Sequence, residues 1–223
     1  MTIDRFKIGF WLKLQTAKIG NGFQFPILFY IMKSLSFKVQ GTKALMMHNP
    51  QCINPFNEFT KLIKPLTSKK KKTEDDMMQL YKLQFMASLY MKDGQYIIPA
   101  QMFWKAICTA AKEQKLGKKF EQSLLVPSDC LLDFEDKDCP PDLLFDDENM
   151  RSKYVDIRDG VIMRARVPVC RSIFPKWKTT LTVWYDETQL DEDDVVRMVE
   201  ISGLRYGVGT YRRIYGRYET KKI

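Results

Sequence analysis

Apolar and polar positions alternate most cleanly in KSLSFKVQG, where Leu35, Phe37 and Val39 fall on one side and Ser36, Lys38 and Gln40 on the other. Successive strand side chains point to opposite faces, so this period predicts a half-buried strand over residues 33–40. Two later stretches repeat the pattern. VIMRARVPV sets Val161, Met163, Ala165, Val167 and Val169 against Arg164 and Arg166, and TTLTVWYD sets Leu181, Val183 and Tyr185 against Thr180, Thr182 and Trp184. A strand with two arginines on its outer face needs solvent or an anionic partner. Tyr96 to Ile98 reads as a short extended piece after the Asp93-Gly94 turn, and RRIYGRYETKK holds a final strand.

Helical spacing appears in three places. Thr73 with Asp76 resembles an N-cap pair and opens a helix to about Met91, whose apolar residues spread so far around its circumference that it should be largely buried. Pro99 suits the first turn of a second helix, with Phe103, Ala106, Ile107 and Ala110 in one stripe, Lys105 and Lys112 on another face and Gly117 as its stop. In DEDDVVRMVEISG, Asp191 caps, acidic residues complement the helix dipole, Val195, Met198, Val199 and Ser202 keep the spacing, and Gly203 ends it. Strand, helix, glycine loop and strand make half of a ferredoxin-like fold, and the strand at 33–40 with its following helices supplies the other half. The expected class is α+β: a ferredoxin-like antiparallel sheet with helices on one face and inserted loops.

Between these elements the sequence reads as loops. Residues 55–72 look irregular and end in Lys69, Lys70, Lys71 and Lys72, whose mutual repulsion favours a solvated loop near 64–73. Residues 133–148 hold eight acidic residues against one lysine, and Pro140 and Pro141 argue for an exposed loop or hairpin tip. Those carboxylates lack the spacing of a calcium loop, so no metal or other cofactor is expected. Residues 1–31 mix aromatics, glycines and lysines without a period. They read either as an ordinary N-terminal extension or as a poorly packed leader from an over-extended reading frame, with Met32 as the natural start of a single domain over 32–223.

Composition narrows the partners. The formal net charge of +9 points to polyanions, and because segment 133–148 carries −7, the remainder carries +16. The longest apolar run, FPILFYIM, is far short of the ~20 residues of a spanning helix, so no membrane partner is expected. Five cysteines, an odd number without a C-x-x-C pair, favour free thiols in a reducing cytoplasm.

The chemistry concentrates in GLRYGVGTYRRIYGRYE, residues 203–219, with four each of glycine, tyrosine and arginine. Single-stranded nucleic acid is held by cations along its phosphates and by aromatic faces against its bases. Arg205, Arg212, Arg213 and Arg217 beside Tyr206, Tyr211, Tyr215 and Tyr218 offer both, and Gly207, Gly209 and Gly216 would let backbone N–H groups approach phosphate. Arg164, Arg166, Arg171, Lys176 and Lys178 would extend the track, with Lys69 to Lys72, Lys105 and Lys112 as further basic candidates. The competing reading makes the tyrosines half-buried strand residues, the glycines turn-formers and the arginines solvated. No nucleophile elbow, Walker loop or H-E-x-x-H occurs, and Gly203, Gly207 and Gly209 follow a helix instead of opening one, opposite to a dinucleotide loop.

Three stretches in order resemble the RAMP superfamily, the RNA-binding proteins of CRISPR effector complexes, and especially its backbone subunits. They are the first strand with TKALMMHNP, then DGQYIIPAQMFWKAICTAAK, then GLRYGVGTYRRIYGRYE, together spanning most of residues 33–219. Where the family has a serine-rich phosphate-contacting turn after the proline, this chain has Ala100, Gln101, Met102 and Phe103. The resemblance, closer to stand-alone bacteriophage proteins than to full CRISPR subunits, implies a noncatalytic protein on RNA or single-stranded DNA in the host cytoplasm, assembling side by side on the strand. It also implies a runner-up, because the superfamily includes metal-independent endoribonucleases that use histidine. His48 is the single histidine and would be the base. A third class is a structural or protein-interaction module whose basic surface meets an acidic partner.

Overall fold

The computed structural model describes residues 32–162 and 165–223, the side chains of 161, 162, 165 and 166 excepted. The expectations for residues 1–31 and Arg164, and for the Arg166 side chain, lie outside the described residues. In chain order the elements are β1 (Met32–Gly41), β2 (Leu45–Met46), α1 (Glu58–Ser68), α2 (Glu74–Ser88), β3 (Met91–Lys92), β4 (Gln95–Ile98), α3 (Ala100–Glu113), α4 (Gly117–Ser123), β5 (Leu124–Leu125), β6 (Cys130–Leu131), α5 (Pro141–Asp146), α6 (Glu148–Tyr154), β7 (Val155–Ile162), β8 (Ala165–Phe174), β9 (Lys178–Asp186), α7 (Glu192–Ile201) and β10 (Tyr218–Lys222).

The protein is α+β, and its strands form three small antiparallel sheets where the sequence pattern led us to expect one. The largest has the order β10-β1-β9-β5, with Leu35 opposite Val183 and Phe37 opposite Leu181. These residues, with Val39 and Tyr185, face inward and are buried, while Ser34, Lys38, Gln40, Thr180 and Trp184 on the other face are exposed. Alternation therefore predicts β1 and β9 well, because a one-residue slip would carry the whole apolar set into water. Against the inward face pack α3, through fully buried Phe103, Ala106, Ile107 and Ala110, and α7, through Val195, Met198 and Val199. The additional sheets, β2-β8-β7 and β3-β4-β6, are built mostly from the segments inserted between β1 and α3 and between β5 and β9.

Several expectations are corrected. VIMRARVPV is not one strand: Ile162 pairs with Ala165 and Val161 with Arg166, so the chain reverses between β7 and β8 and the supposed single-strand faces do not exist. Residues 55–72 are not irregular, since the Asn57 side chain accepts from the Phe59 N–H and opens α1, which runs through Pro65. Pro140 and Pro141 do not exclude structure. Pro141 occupies the first turn of α5, where its missing N–H costs nothing, and α5 buries Leu144 and Phe145 within the acidic segment. Gly117 starts α4 instead of ending α3, and Gly203 lies in a π-helical turn, Ser202–Tyr206, that continues α7. On α2, Leu80, Phe85, Ala87 and Ser88 are buried but Met78 is 47% exposed, so that helix is amphipathic rather than enclosed.

The start of α2 follows the sequence closely. The Thr73 hydroxyl accepts from the Asp76 N–H at 3.2 Å, and the Asp76 carboxylate accepts from the Thr73 N–H at 3.1 Å. Thr73→Ala is expected to cost about 1 kcal/mol, read as a lower urea midpoint with an unchanged slope. All five cysteines are free, and burial pushes the Cys108, Cys130 and Cys170 thiols up to about 12, so they stay protonated near neutrality.

Candidate nucleic-acid interface

The chain leaving α7 must turn back sharply to enter β10 beside β1, and residues 207–217 make that turn. Gly207 at φ 67°, Gly209 at 81° and Gly216 at 70° take left-handed backbone, and Tyr211 joins them at φ 50°. The loop is docked, not free. Gly207 N–H donates to Ser202 O at 2.8 Å, Val208 N–H to Gly216 O at 2.9 Å, Thr210 N–H to Met46 O at 2.8 Å and Gly216 N–H to Ala44 O at 2.8 Å. A Cβ on Gly207 would lie 2.6 Å from the Gly216 oxygen, and one on Gly216 would overlap the Val208 oxygen.

This changes the glycines' part. The amides of Gly207 and Gly216 are committed to internal carbonyls and are not offered to a phosphate. These two glycines close the loop, and their backbone donors are spent inside it. Tyr218 also leaves the surface: it is fully buried, hydrogen-bonded to Ser202 and edge-on to Phe103 at 5.6 Å, and burial holds its hydroxyl far above the ordinary range.

What the loop presents outward is basic. An open cleft of about 820 Å³ is lined by Arg205, Tyr206, Gly209, Thr210, Tyr211, Arg212, Arg213, Ile214 and Arg217, with Thr109 of α3 opposite and no carboxylate in the lining. Arg205 reaches Glu113 at 2.9 Å, and Arg217 donates to Leu204 O at 3.1 Å. The Tyr206 hydroxyl and then Arg205 hold the Glu113 carboxyl below its usual value. Arg212 and Arg213 have no ion pair among the described residues. Tyr211 is 42% and Ile214 63% exposed, so apolar and aromatic surface sits among the cations.

Behind the cleft, the β7–β8 hairpin braces the loop. Arg158 grips both oxygens of Asp156, donates to the Tyr215 hydroxyl at 2.9 Å and places its Cζ 5.0 Å from the Tyr215 ring centroid and 5.4 Å from that of Tyr211. Arg171 of β8 reaches the same Tyr211 ring at 4.9 Å. Sequence reasoning passed over Arg158, Thr109 and Ile214. The spacing of Asp156 and Arg158, two apart and hence on one strand face, was a readable signal for the first.

The remaining candidates scatter. Exposed Lys105 precedes Thr109 by one helical turn of α3, whereas Lys112 on the same face is paired with Glu121 at 2.8 Å. Lys69 pairs with Asp76 at 2.6 Å, Lys72 donates to Lys69 O at 3.0 Å, and Lys70 and Lys71 stand exposed between α1 and α2. Lys178 pairs with Asp133 at 3.4 Å and lines a separate groove of about 1140 Å³ that also contains Asp129 and Asp138. Lys176 is exposed. None of these lysines lines the basic cleft. His48 follows Met47 after β2. It is exposed, and desolvation and then the charge of Arg171 hold its imidazole below the ordinary value.

Among the described residues no group of three metal-ligating side chains converges, and no helix is long and apolar enough to cross a membrane. No family model matches the chain, and no curated protein matches it. It is similar to a chain in the solved structure titled "Cryo-EM structure of the Type III-B Cmr-beta bound to cognate target RNA", with 15% sequence identity and a TM-score of 0.48, covering 86% of this chain and 61% of that one. The protein thus spans less than two thirds of the length of the chain it matches.

Proposed function

We propose that this protein binds single-stranded nucleic acid, RNA or DNA, without cleaving it. The observation that carries the reading is the cleft beside α3, lined by four arginines and two tyrosines with no carboxylate in its wall. Guanidinium groups pair with phosphates, and base–aromatic stacking adds ~1–3 kcal/mol per base. The framework is read as ferredoxin-like: β10-β1-β9-β5 is fully antiparallel, α3 and α4 connect β1 to β5, and α7 connects β9 to β10. The RAMP resemblance of the three sequence stretches fits this framework, and side-by-side assembly on the strand in the cytoplasm belongs to the same proposal. The purified protein is expected to carry nuclease-sensitive nucleic acid, seen as excess ultraviolet absorbance in the nucleic-acid band. A clean protein spectrum together with no gel shift of an oligonucleotide at low salt rejects the reading.

A second reading, metal-independent endoribonuclease, is favoured by the exposed imidazole of His48, whose pKa is lowered by desolvation and then by the charge of Arg171. Neutral imidazole is the base form. Because its folded pKa is lowered, the rate would reach its plateau at a lower pH than for an ordinary histidine. Cleavage in metal-free buffer that disappears in His48→Ala would establish this activity, and no cleavage rejects it.

A further inference from the structure

Arg171 sits in an unbalanced position. The β7–β8 register places Asp156 directly opposite it, yet both carboxylate oxygens of Asp156 are taken by Arg158. The Nε and Nη1 atoms of Arg171 are buried and have no hydrogen-bond partner. Its Cζ lies 4.9 Å from the centroid of Tyr211, and the same ring is shared with the Arg158 cation. A buried donor without a partner is costly, more so on a charged group. The tyrosine face returns part of that cost through its quadrupole but accepts neither in-plane N–H.

A water would satisfy the donors but leave the charge. An anion would do both, and a guanidinium fork suits phosphate geometry. The residue as a whole remains partly exposed but does not line the arginine cleft; Tyr211, which stands in the cleft wall, lies against its guanidinium. We propose that Arg171 is a phosphate subsite adjoining the cleft, which takes one phosphodiester of the bound strand at its unpaired donors once the half-exposed Tyr211 ring turns off the guanidinium. This inference rests on the single-strand reading for its physiological ligand, though inorganic phosphate tests the subsite by itself.

The full-length protein is melted with and without inorganic phosphate at constant ionic strength, and an oligonucleotide is titrated in parallel. Wild type is expected to melt higher in phosphate, and Arg171→Met to lose that response. For the oligonucleotide, Arg171→Met should bind roughly tenfold more weakly, with the slope of log K against log salt shallower by about 0.7, one phosphate's share. If Arg171→Met does not fold, Arg171→Lys serves, since it keeps the charge but loses the fork and should show a weakened phosphate response. No phosphate response in wild type, or an equal one in the variants, overturns the subsite. A phosphate response confined to Arg171 without strand binding keeps the subsite and rejects the nucleic-acid reading, and strand binding with an unaltered slope in Arg171→Met does the reverse.

Discussion

Replacing Arg212 and Arg213 together with alanine is expected to weaken single-strand binding roughly 10- to 100-fold and to make the salt slope shallower by about 1.4, two phosphates' share. Both line the cleft, and neither has an ion pair among the described residues, so their charge is available to a ligand and their removal breaks no internal contact of that kind. The double variant should therefore melt like wild type. Lys70→Ala with Lys71→Ala removes the same formal charge from the turn between α1 and α2, which is not part of the cleft wall. Its effect on affinity should be much smaller. Equal losses in the two variants would mean that net charge, and not the cleft, does the binding.

The second large effect is on the loop itself. Gly216→Ala is expected to destabilise the protein by roughly 3 kcal/mol, because a left-handed L-residue costs about 1–2 kcal/mol and overpacking adds about 1–3. Gly216 has φ 70°, its added Cβ would overlap the Val208 oxygen, and its N–H holds Ala44 O at 2.8 Å. The variant should lose both stability, seen in the urea midpoint, and single-strand affinity, because three of the four cleft arginines, Arg212, Arg213 and Arg217, hang on the loop it closes. A Gly216→Ala protein of unchanged midpoint would show that the loop is not held as described.

The contrast between these substitutions marks what the sequence could and could not reveal. That residues 203–219 pair cations with aromatics was readable from residue types alone, and the arginines do gather around one cleft. The work of the glycines was not readable, because a sequence shows conformational freedom but not which way an amide points. Gly207 and Gly216 turn theirs inward, and Tyr218 goes to the core. Residue type also says nothing of pairing across distant segments, so Lys112 and Lys178 looked as free as Arg212 and Arg213 although Glu121 and Asp133 meet them.

The fold was legible where one period ran over a whole element with one buried face, as in β1, β9 and α3. It was lost where a turn lacked the usual chemistry. The β7–β8 hairpin reverses between Ile162 and Ala165 without the Asn-Gly or Asp-Gly pair that marks such turns, so alternation seemed to run straight through. Residues 55–72 read as irregular although α1 runs through Pro65, and Pro140-Pro141 masked α5, where Leu144 and Phe145 were the signal that part of an acidic stretch is packed. Those insertions carry sheets of their own, which is why one expected sheet became three.

The central claim is that the arginine cleft holds the phosphates of a single strand. Fluorescence anisotropy of a labelled single-stranded oligonucleotide, titrated with the full-length protein across a salt series, tests it most directly. The account predicts binding at low salt whose log K falls linearly with log salt at a slope of roughly −2 to −3, as three to four neutralised phosphates require. A flat salt dependence, or no binding at low salt, would contradict it.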